Sequence, residues 1–387
     1  MVRVGINGMG EVGRYLLRAH QEQINTILLY SLFEQGVLNG QVSLGQLNEG
    51  ALQGIKDALD DQTPVSGLVE IVAVNSRSPP DRWAHLLLNS SIYGRFPGYL
   101  SLPGSVSVDG NKDIVVNGKT IKTYMGDDPA KIPWHETGVD VVLDATGAFA
   151  DRPGIEGHFK SGVKQIIITE PSKYAEVTLV YGVNNPAYHG QTIISSGSCT
   201  TNALAPLAKA LFDRYGVFTG IMTTIHAYTG SQSPADATNE KPELGFAIDD
   251  NFIPTSTGAA KAIGLVLPEL EGRLTGLAVR GPVSTGSLVD LTADLCGTHT
   301  AEEVNEVLRQ AADGPLKGVL GYTGKMMVSS MIKGSRIPSM VAGKNTISVG
   351  GQVKTFAFYD NIGGFSHQAL ALAQLVGQYA GPTAPNR

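Results

Sequence analysis

The chain has 387 residues, of which 42% are hydrophobic and 17% are charged. This length predicts about two domains, and the apolar fraction is enough for packed cores, which excludes a disordered protein. A net charge of −6, with a pI near 5.8, excludes the basic face of a nucleic-acid-binding protein.

The N-terminal half shows apolar strand patterns separated by segments of helix length. Residues 2–6 alternate as a strand, a glycine turn follows at Gly8–Gly13, and residues 12–19 have the apolar spacing of a helix. Further strands are predicted at residues 69–75, 139–145 and 165–169. This pattern predicts an α/β domain of the Rossmann type, a doubly wound parallel sheet with helices on both faces.

The first helix and the second strand are unusually far apart. A dinucleotide-binding unit ends its second strand roughly 20 residues after the glycine turn, whereas Gly13 and Asn75 lie 62 positions apart. About 40 residues are therefore inserted, at about residues 21–67. The Leu and Ile spacing of this insertion fits a helical hairpin or a lid.

From about residue 200 the pattern changes to longer alternating strands, at residues 216–226 and 276–293. Helices are predicted after Cys199, at about residues 301–311 and at about residues 366–379. This half is therefore predicted to be an α+β domain on a larger mixed or antiparallel sheet. The predicted division is a first domain at residues 1–198, a second at 199–361, and a C-terminal helix within 362–387 placed to pack against the first.

Targeting, disulfide and metal patterns are missing from the sequence. The two cysteines, Cys199 and Cys296, are too few for a disulfide framework, and no uncharged apolar run reaches the roughly 18 residues of a membrane span. The first residues lead straight into a strand pattern instead of a signal peptide. The eight histidines show no H-x-x-x-H spacing. We therefore expect a cytoplasmic protein with no metal, no membrane partner and no nucleic-acid partner.

The turn after the first strand carries the pattern G-x-G-x-x-G at Gly8, Gly10 and Gly13. Placed directly after a strand and opening a helix, this pattern is typical of dinucleotide binding. The glycines allow close backbone approach, and the helix N-terminus offers N–H groups and a positive dipole end to a pyrophosphate. With Glu11 and Val12, these glycines form the predicted cofactor-binding turn.

The end of the second strand indicates which nicotinamide cofactor is used. It reads Asn75-Ser76-Arg77, without the carboxylate that holds the ribose hydroxyls of NAD. A hydroxyl and a guanidinium suit the 2′-phosphate of NADP. We predict NADP, or the use of both NAD and NADP; the alternative is that Arg77 points into solvent.

Cys199 lies in the polar stretch SSGSCTTN, which an apolar helical run follows. A cysteine at a helix N-terminus has its thiol pKa lowered by the dipole and the free N–H groups. His226, at the end of an apolar strand, is the candidate base. Its imidazolium would lower the thiol pKa further, and its imidazole would then move protons. The pair predicts a nucleophilic cysteine, whereas Cys296 is expected to be structural.

Six motifs give the chain a resemblance to the phosphorylating glyceraldehyde-3-phosphate dehydrogenase family. They occur in the family's order and cover nearly the whole chain outside the insertion: GINGMGEVGR at Gly5, SCTTNALAPLAK at Ser198, MTTIHAYTGSQ at Met222, IPTSTGAAKAIG at Ile253, GLAVRGP at Gly276 and FYDNIGGFS at Phe358. The resemblance implies that a thioester on Cys199 links oxidation of the aldehyde, by hydride transfer to NAD(P), to phosphorolysis. It also implies a homotetramer.

The resemblance implies roles for further residues in the second half of the chain. Those implied to hold the attacking inorganic phosphate are Ser198, Thr200, Thr257 and Gly258. Thr229 and Arg280 would hold the phosphate of the substrate, since hydroxyls and a bidentate guanidinium suit that group. The remaining implied cofactor residues are Thr146 and Gly147, which would line the site, and Asn361, which would orient the nicotinamide amide.

The chain departs from the family most clearly in the loop at residues 239–250, where Phe246 and its neighbours replace a basic run. Losing a charge-assisted contact to phosphate costs roughly 1.5–3 kcal/mol. Smaller departures occur at Ser231, Ala203, Ile362 and Phe365. Two alternatives therefore stay open: a dehydrogenase for another sugar phosphate, such as erythrose 4-phosphate, or for another oxyanion acceptor, and a catalytically weak paralogue with a binding or regulatory role.

Overall fold

The computed structural model of the chain describes residues 1–34, 69–98, 104–148 and 152–379. It contains two compact units: the first comprises Met1–Ile167 with Ala373–Arg387, and the second comprises Ile168–Leu372. Residues 21–34 of the predicted insertion continue the first helix, and its residues 35–67 lie outside the described residues. The predicted domain boundary between residues 198 and 199 stays a prediction.

The elements are numbered in chain order. The described helices are α1 (Glu11–Glu34), α2 (Ala84–Leu88), α3 (Arg152–Glu156), α4 (Cys199–Tyr215), α5 (Ala259–Val266), α6 (Ala301–Asp313) and α7 (Gly363–Tyr379). The described strands are β1 (Val2–Asn7), β2 (Val69–Asn75), β3 (Asn89–Ser90), β4 (Gly94–Arg95), β5 (Val106–Val108), β6 (Ile114–Val116), β7 (Lys119–Tyr124), β8 (Val141–Asp144), β9 (Gln165–Ile168), β10 (Val177–Thr178), β11 (Ile193–Ser195), β12 (Thr219–Ala227), β13 (Ile253–Ser256), β14 (Leu274–Gly281), β15 (Ser287–Asp294), β16 (Leu320–Thr323), β17 (Ser339–Ala342), β18 (Ile347–Val349) and β19 (Gln352–Tyr359).

The first unit is built on a mainly parallel sheet. Its strands lie in the order β9-β8-β1-β2-β7-β6-β5, and β1 pairs in parallel with both β2 and β8. Apolar side chains such as Ile6, Ile71 and Leu143 are fully buried, as expected for strands covered on both faces. The prediction of a Rossmann-type sheet is confirmed. Nothing in the described part of the chain is both long and apolar enough for a helical membrane span.

The second unit is built on a mixed eight-stranded sheet, which confirms the predicted larger mixed sheet. The main path is β13-β14-β12-β15-β19-β17-β16, with β18 pairing with β19. The single strand expected at residues 276–293 is instead two strands, β14 and β15, on opposite sides of β12. Pro282 lacks the N–H that a continuous ladder needs, and Gly286 takes a φ of 89°, where an added Cβ would lie 2.2 Å from the Ser329 carbonyl oxygen.

Helix α4 places the cysteine. Ser198 is its N-cap, and the Ser198 Oγ accepts a hydrogen bond of 3.0 Å from the Thr201 N–H. Buried leucines such as Leu204 and Leu207 anchor the helix in the core of the second unit. Cys199 is therefore held as the first residue of a well-anchored helix, as the sequence predicts.

Candidate active site

Cys199 and His226 lie side by side in the second unit. Cys199 Sγ is 3.4 Å from His226 Nε2. Cys199 opens α4 and is partly exposed, whereas His226 is the next-to-last residue of β12 and is buried. The structure brings together the two side chains on which the sequence argument for a nucleophilic cysteine depends.

A guanidinium contacts the opposite edge of the imidazole. His226 on β12 and Arg280 on β14 are paired residues of two parallel strands. Arg280 Nη1 lies 2.6 Å from His226 Nδ1 and donates to the Ala227 carbonyl oxygen at 3.3 Å. His226 Nδ1 is also 2.6 Å from that carbonyl oxygen. Sequence reasoning placed Arg280 only on a substrate phosphate, because strand register, which sets this contact, is not visible in a motif.

Burial changes the protonation of both reactive groups. Desolvation, followed by the charge of Arg280, lowers the pKa of His226 to about 3, so the imidazole is neutral near pH 7. Desolvation raises the pKa of the Cys199 thiol, although the charge of Arg280 and the backbone N–H of Thr200 oppose this. The expectation that this pKa is lowered, with an imidazolium as a cause, is wrong, because desolvation keeps the His226 imidazole neutral and is the largest influence on the thiol.

The residues predicted to hold inorganic phosphate lie at two helix N-termini. Ser198 caps α4, Gly258 caps α5, and the Ala259 N–H donates to Thr257 Oγ1 at 3.2 Å. The side chain of Thr200 is engaged elsewhere, since its Oγ1 is buried 2.8 Å from Tyr359 Oη.

Tyr359 is a site residue to which the sequence argument assigned no role, although it lies in the FYDNIGGFS motif. Thr224 Oγ1 donates to the Leu288 carbonyl oxygen at 3.1 Å and lies 2.8 Å from Tyr359 Oη. Tyr359 must therefore donate to Thr224 and accept from Thr200, and burial raises the pKa of its phenol. This hydroxyl chain ties the first turn of α4 to β12, the strand that carries His226.

Unpaired buried donors lie at the predicted substrate-phosphate site. Thr229 follows β12 by two residues, and its N–H donates to Gln232 Oε1 at 3.2 Å. Arg280 Nε and Gln232 Nε2 are buried without a hydrogen-bond partner among the described residues. An oxyanion is the group that such donors would satisfy. Gln232 adds to the predicted set, and the signal for it was its place in the MTTIHAYTGSQ motif.

Two hydroxyls lie within hydrogen-bond distance of the amide oxygen of Asn361, the predicted nicotinamide residue. They are Ser287 Oγ at 3.4 Å and Thr285 Oγ1 at 3.1 Å, and the Thr285 hydroxyl also lies 3.0 Å from Asp360 Oδ1. With its oxygen occupied in this way, the buried side chain can present its Nδ2 hydrogens to a carboxamide oxygen.

The divergent loop carries charges of both signs to β13, the strand before Thr257. Glu243 accepts a hydrogen bond of 3.0 Å from Thr255 Oγ1, and Lys241 Nζ donates to Ser256 Oγ at 3.1 Å. Phe246 is 58% exposed. A lysine and a glutamate therefore reach this strand where the family pattern has a basic run.

A cleft of about 640 Å³ lies in the first unit, at the carboxyl ends of β1, β2 and β8. The predicted residues that line it are Gly8, Gly10, Asn75, Ser76, Arg77 and Thr146. Arg14 and Arg82, two cations that the sequence argument did not single out, line it as well. A cleft of this size, at this edge of a parallel sheet, suits a dinucleotide.

The other predicted cofactor residues of the first unit lie in the glycine turn, at the start of α1 and in the turn after β8. Glu11 and Val12 begin α1, and an added Cβ at Gly13 would lie 1.9 Å from the Gly8 carbonyl oxygen. Gly147 has a φ of 62° in the turn after β8. Only glycine permits the helix to approach the turn this closely, which is the fit expected of a dinucleotide-binding turn.

Two buried polar side chains hold the loops around this cleft. Asn75 Nδ2 donates to Asn7 Oδ1 at 2.8 Å, and Asn75 Oδ1 accepts from the Gly126 N–H at 2.8 Å. Asp144 Oδ1 accepts from the N–H and the hydroxyl of Thr146, at 3.0 and 2.6 Å. Asn75 thus lines the cleft while its side chain fixes the neighbouring loop. The described residues contain no cluster of three or more potential metal ligands.

A thiol beside an imidazole in one unit, and a glycine-turn cleft on a parallel sheet in the other, are the features of a nicotinamide-dependent dehydrogenase. Two family models match the chain: glyceraldehyde 3-phosphate dehydrogenase, NAD binding domain, at residues 59–152, and the C-terminal domain of the same enzyme at residues 198–361. The chain belongs to the glyceraldehyde-3-phosphate dehydrogenase family.

Similar proteins extend over nearly the full length of the chain. Glyceraldehyde-3-phosphate dehydrogenase 1 of Bacillus subtilis is 39% identical over 378 residues, which cover 97% of this chain and 98% of the relative. The glyceraldehyde-3-phosphate dehydrogenases of Mycobacterium leprae and Mycolicibacterium smegmatis are each 40% identical over 379 residues, covering 97% of this chain and 99% of each relative.

Proposed function

We propose that the chain oxidises glyceraldehyde 3-phosphate to an acyl phosphate, with reduction of NADP or of both nicotinamide cofactors. The observation that carries the proposal is the 3.4 Å contact between Cys199 Sγ and His226 Nε2 in a chain of this family. The full-length relatives carry the name of this activity.

Bound nicotinamide supplies the hydride acceptor of the reaction. Cys199 Sγ attacks the aldehyde carbon, and the thiol proton passes to the carbonyl oxygen to give a thiohemiacetal. His226 Nε2 takes the hydroxyl proton while the carbon gives up its hydride, which leaves a thioester on Cys199. Inorganic phosphate then attacks the thioester carbon, the acyl phosphate departs, and Cys199 leaves as the thiolate.

The two phosphates have separate sites in this proposal. Thr229 and Arg280 bind the phosphate of the substrate, and the unpaired Nε of Arg280 supports this role. Ser198, Thr257 and Gly258 receive the attacking phosphate at the N-termini of α4 and α5, where N–H groups and helix dipoles favour anions. Thr200 contributes through its backbone, since its hydroxyl is bonded to Tyr359.

The preference for NADP is supported by the cations at the cleft in the first unit. Ser76, Arg77 and Arg82 line it together, and a 2′-phosphate needs such donors. Asp127 lines the same cleft and would oppose a phosphate, which supports use of both cofactors. Asn361 is assigned to the nicotinamide amide. We also propose that the chain forms a homotetramer, that it is cytoplasmic, and that its two domains divide between residues 198 and 199.

The test follows nicotinamide absorbance with glyceraldehyde 3-phosphate, using NAD and NADP in parallel, with and without phosphate. Cys199→Ser is the inactive variant, and Cys296→Ser is the matched control because Cys296 is the other cysteine of the chain. Phosphate-dependent turnover that only Cys199→Ser abolishes is expected. Turnover with erythrose 4-phosphate and none with glyceraldehyde 3-phosphate would show that erythrose 4-phosphate is the substrate. Folded protein that turns over neither aldehyde would contradict the proposed enzymatic activity. That result would favour a catalytically weak paralogue with a binding or regulatory role.

A further inference from the structure

We propose that Asp144 is a positioning residue for the dinucleotide, because its carboxylate fixes the turn that carries Thr146 and, through Asn7, the neighbouring strand ends. His158 supports this carboxylate from the core of the first unit. Asp144 and His158 are both buried, and neither is among the described residues that line the cleft. The inference rests on the proposed function, because it takes this cleft as the cofactor site. It goes further by adding two residues that act through those of the lining.

Each oxygen of the Asp144 carboxylate faces two donors. Asp144 Oδ1 accepts from the N–H of Thr146 at 3.0 Å and from its hydroxyl at 2.6 Å. Asp144 Oδ2 accepts from Asn7 Nδ2 at 2.9 Å and lies 3.4 Å from His158 Nε2. A carboxylate has two acceptor oxygens, whereas a carboxamide has one. The carboxylate can therefore hold the Thr146 turn and the Asn7 side chain at the same time, and a carboxamide cannot.

The tautomer of His158 is set by an indole. Trp134 Nε1 can only donate, and it lies 3.0 Å from His158 Nδ1, so Nδ1 accepts and the ring proton lies on Nε2. That proton is directed at Asp144 Oδ2. Asn7 Nδ2 also lies 3.4 Å from His158 Nε2, but its nearer partner is Asp144 Oδ2. Trp134 and His158 are both fully buried, so the donor to the carboxylate is held rigidly from the core.

The carboxylate of Asp144 is ionised. Burial alone would raise its pKa, but the hydrogen bonds from His158 and Thr146 outweigh burial, and the pKa of Asp144 lies below its ordinary value. A buried charge costs more desolvation than a neutral side chain of the same shape. What the charge provides at this position is the second acceptor oxygen.

Asn7 extends the arrangement along the edge of the sheet. Asn7 Oδ1 accepts from Asn75 Nδ2 at 2.8 Å, and Asn75 Oδ1 accepts from the Gly126 N–H at 2.8 Å. Asn7, Asn75, Gly126 and Thr146 all line the cleft. The ends of β8, β1 and β2 and the loop after β7 are thus joined in one hydrogen-bonded row that starts at Asp144. A site that is already ordered loses less conformational freedom when its ligand binds.

The first test measures binding of NADP and of NAD by calorimetry. Asp144→Asn is expected to raise the Kd of both cofactors about tenfold, because its single oxygen can serve either Thr146 or Asn7. Asp113→Asn is the matched control: Asp113 is also buried in the first unit, accepts from the Thr123 N–H at 2.8 Å, and is not among the described lining residues. The control is expected to unfold at lower urea concentration and to keep the Kd of the wild type. An unchanged Kd in Asp144→Asn overturns the proposal.

Two variants of nearly equal shape test the role of His158. His158→Gln keeps a donor that can reach Asp144 Oδ2, whereas His158→Met has none. The methionine variant is expected to raise the Kd of both cofactors about three- to tenfold, and the glutamine variant is expected to restore most of the affinity. Both substitutions change the packing around Trp134, so a purely structural role would affect the two variants alike. Equal Kd values for the two variants would contradict the role of the His158 proton.

Hydrogen exchange without cofactor tests the turn itself. Peptides that cover residues 144–148 are expected to exchange about tenfold faster in Asp144→Asn than in the wild type or in Asp113→Asn. If the wild type binds neither cofactor, the proposed function fails, and the exchange rates still show whether Asp144 holds the turn. If the wild type binds a cofactor and the exchange rates are the same in all three proteins, the inference fails and the proposed function stands.

Discussion

The buried imidazole of His226 makes the stability of the chain depend on pH, and one substitution removes that dependence. An imidazole in the unfolded chain has its ordinary pKa of 6.5, whereas burial and Arg280 lower the pKa of His226 in the folded chain to about 3. Between these values the unfolded state binds a proton that the folded state does not. The free energy of unfolding therefore falls as the pH falls through 6.5 toward 3.

The size of the effect follows from the two pKa values. Each pH unit within that window costs about 1.4 kcal/mol. Between pH 7 and pH 5 the expected loss is about 2 kcal/mol, because the first half unit lies above the pKa of the unfolded chain. Above pH 7 the His226 contribution is constant.

The assay is urea unfolding at pH 7 and pH 5 for the wild type, His226→Asn and His189→Asn. Circular dichroism is the preferred signal, because Trp83 and Trp134 both belong to the first unit. Tryptophan fluorescence would therefore not report the unfolding of the second unit, which contains His226. His189 is an exposed histidine of the second unit, so its variant controls for the substitution. The wild type and His189→Asn should each lose about 2 kcal/mol more than His226→Asn. An equal loss in all three proteins would refute the proton linkage at His226.

Four further substitutions have expected outcomes. Ser76→Asp should lower the ratio of kcat/KM with NADP to kcat/KM with NAD at least tenfold. Arg82→Gln should lower the same ratio by a smaller factor. An unchanged ratio in steady-state assays of both variants would exclude a 2′-phosphate site beside Ser76 and Arg82. Tyr359→Phe should cost about 1–3 kcal/mol in urea unfolding, because it removes two hydrogen bonds of 2.8 Å; a loss below this range would mean that the two threonines find other partners. Glu243→Gln should lower the KM for inorganic phosphate about two- to fivefold; an unchanged KM would place the acceptor away from β13.

The sequence predicts the parts of this molecule that depend on local chemistry. The polar stretch around Cys199, followed by an apolar helical run, is enough to predict a helix that begins near the cysteine, and the glycine spacing predicts the turn after β1. The alternating pattern at residues 276–293 also predicts strand, but periodicity is the same on either side of a turn. Only Pro282 and Gly286 mark the place where the chain leaves β14 and returns as β15.

The contacts that decide the chemistry join residues far apart in the chain. The bond between Thr200 and Tyr359 spans 159 positions, and that between His226 and Arg280 spans 54. Both depend on which strands are neighbours and in which register, and no short motif contains that information. The direction of the pKa shift at Cys199 was missed for a related reason. Polar neighbours in the sequence do not show how far the fold buries the cysteine side chain away from water.

The raised pKa of the Cys199 thiol also bears on how the chain tolerates oxidants. Peroxides attack thiolates, and a raised thiol pKa disfavours the thiolate. We therefore expect Cys199 to form sulfenic acid more slowly than a thiol of ordinary pKa. The rate of Cys199 oxidation by hydrogen peroxide, followed against pH, checks this expectation.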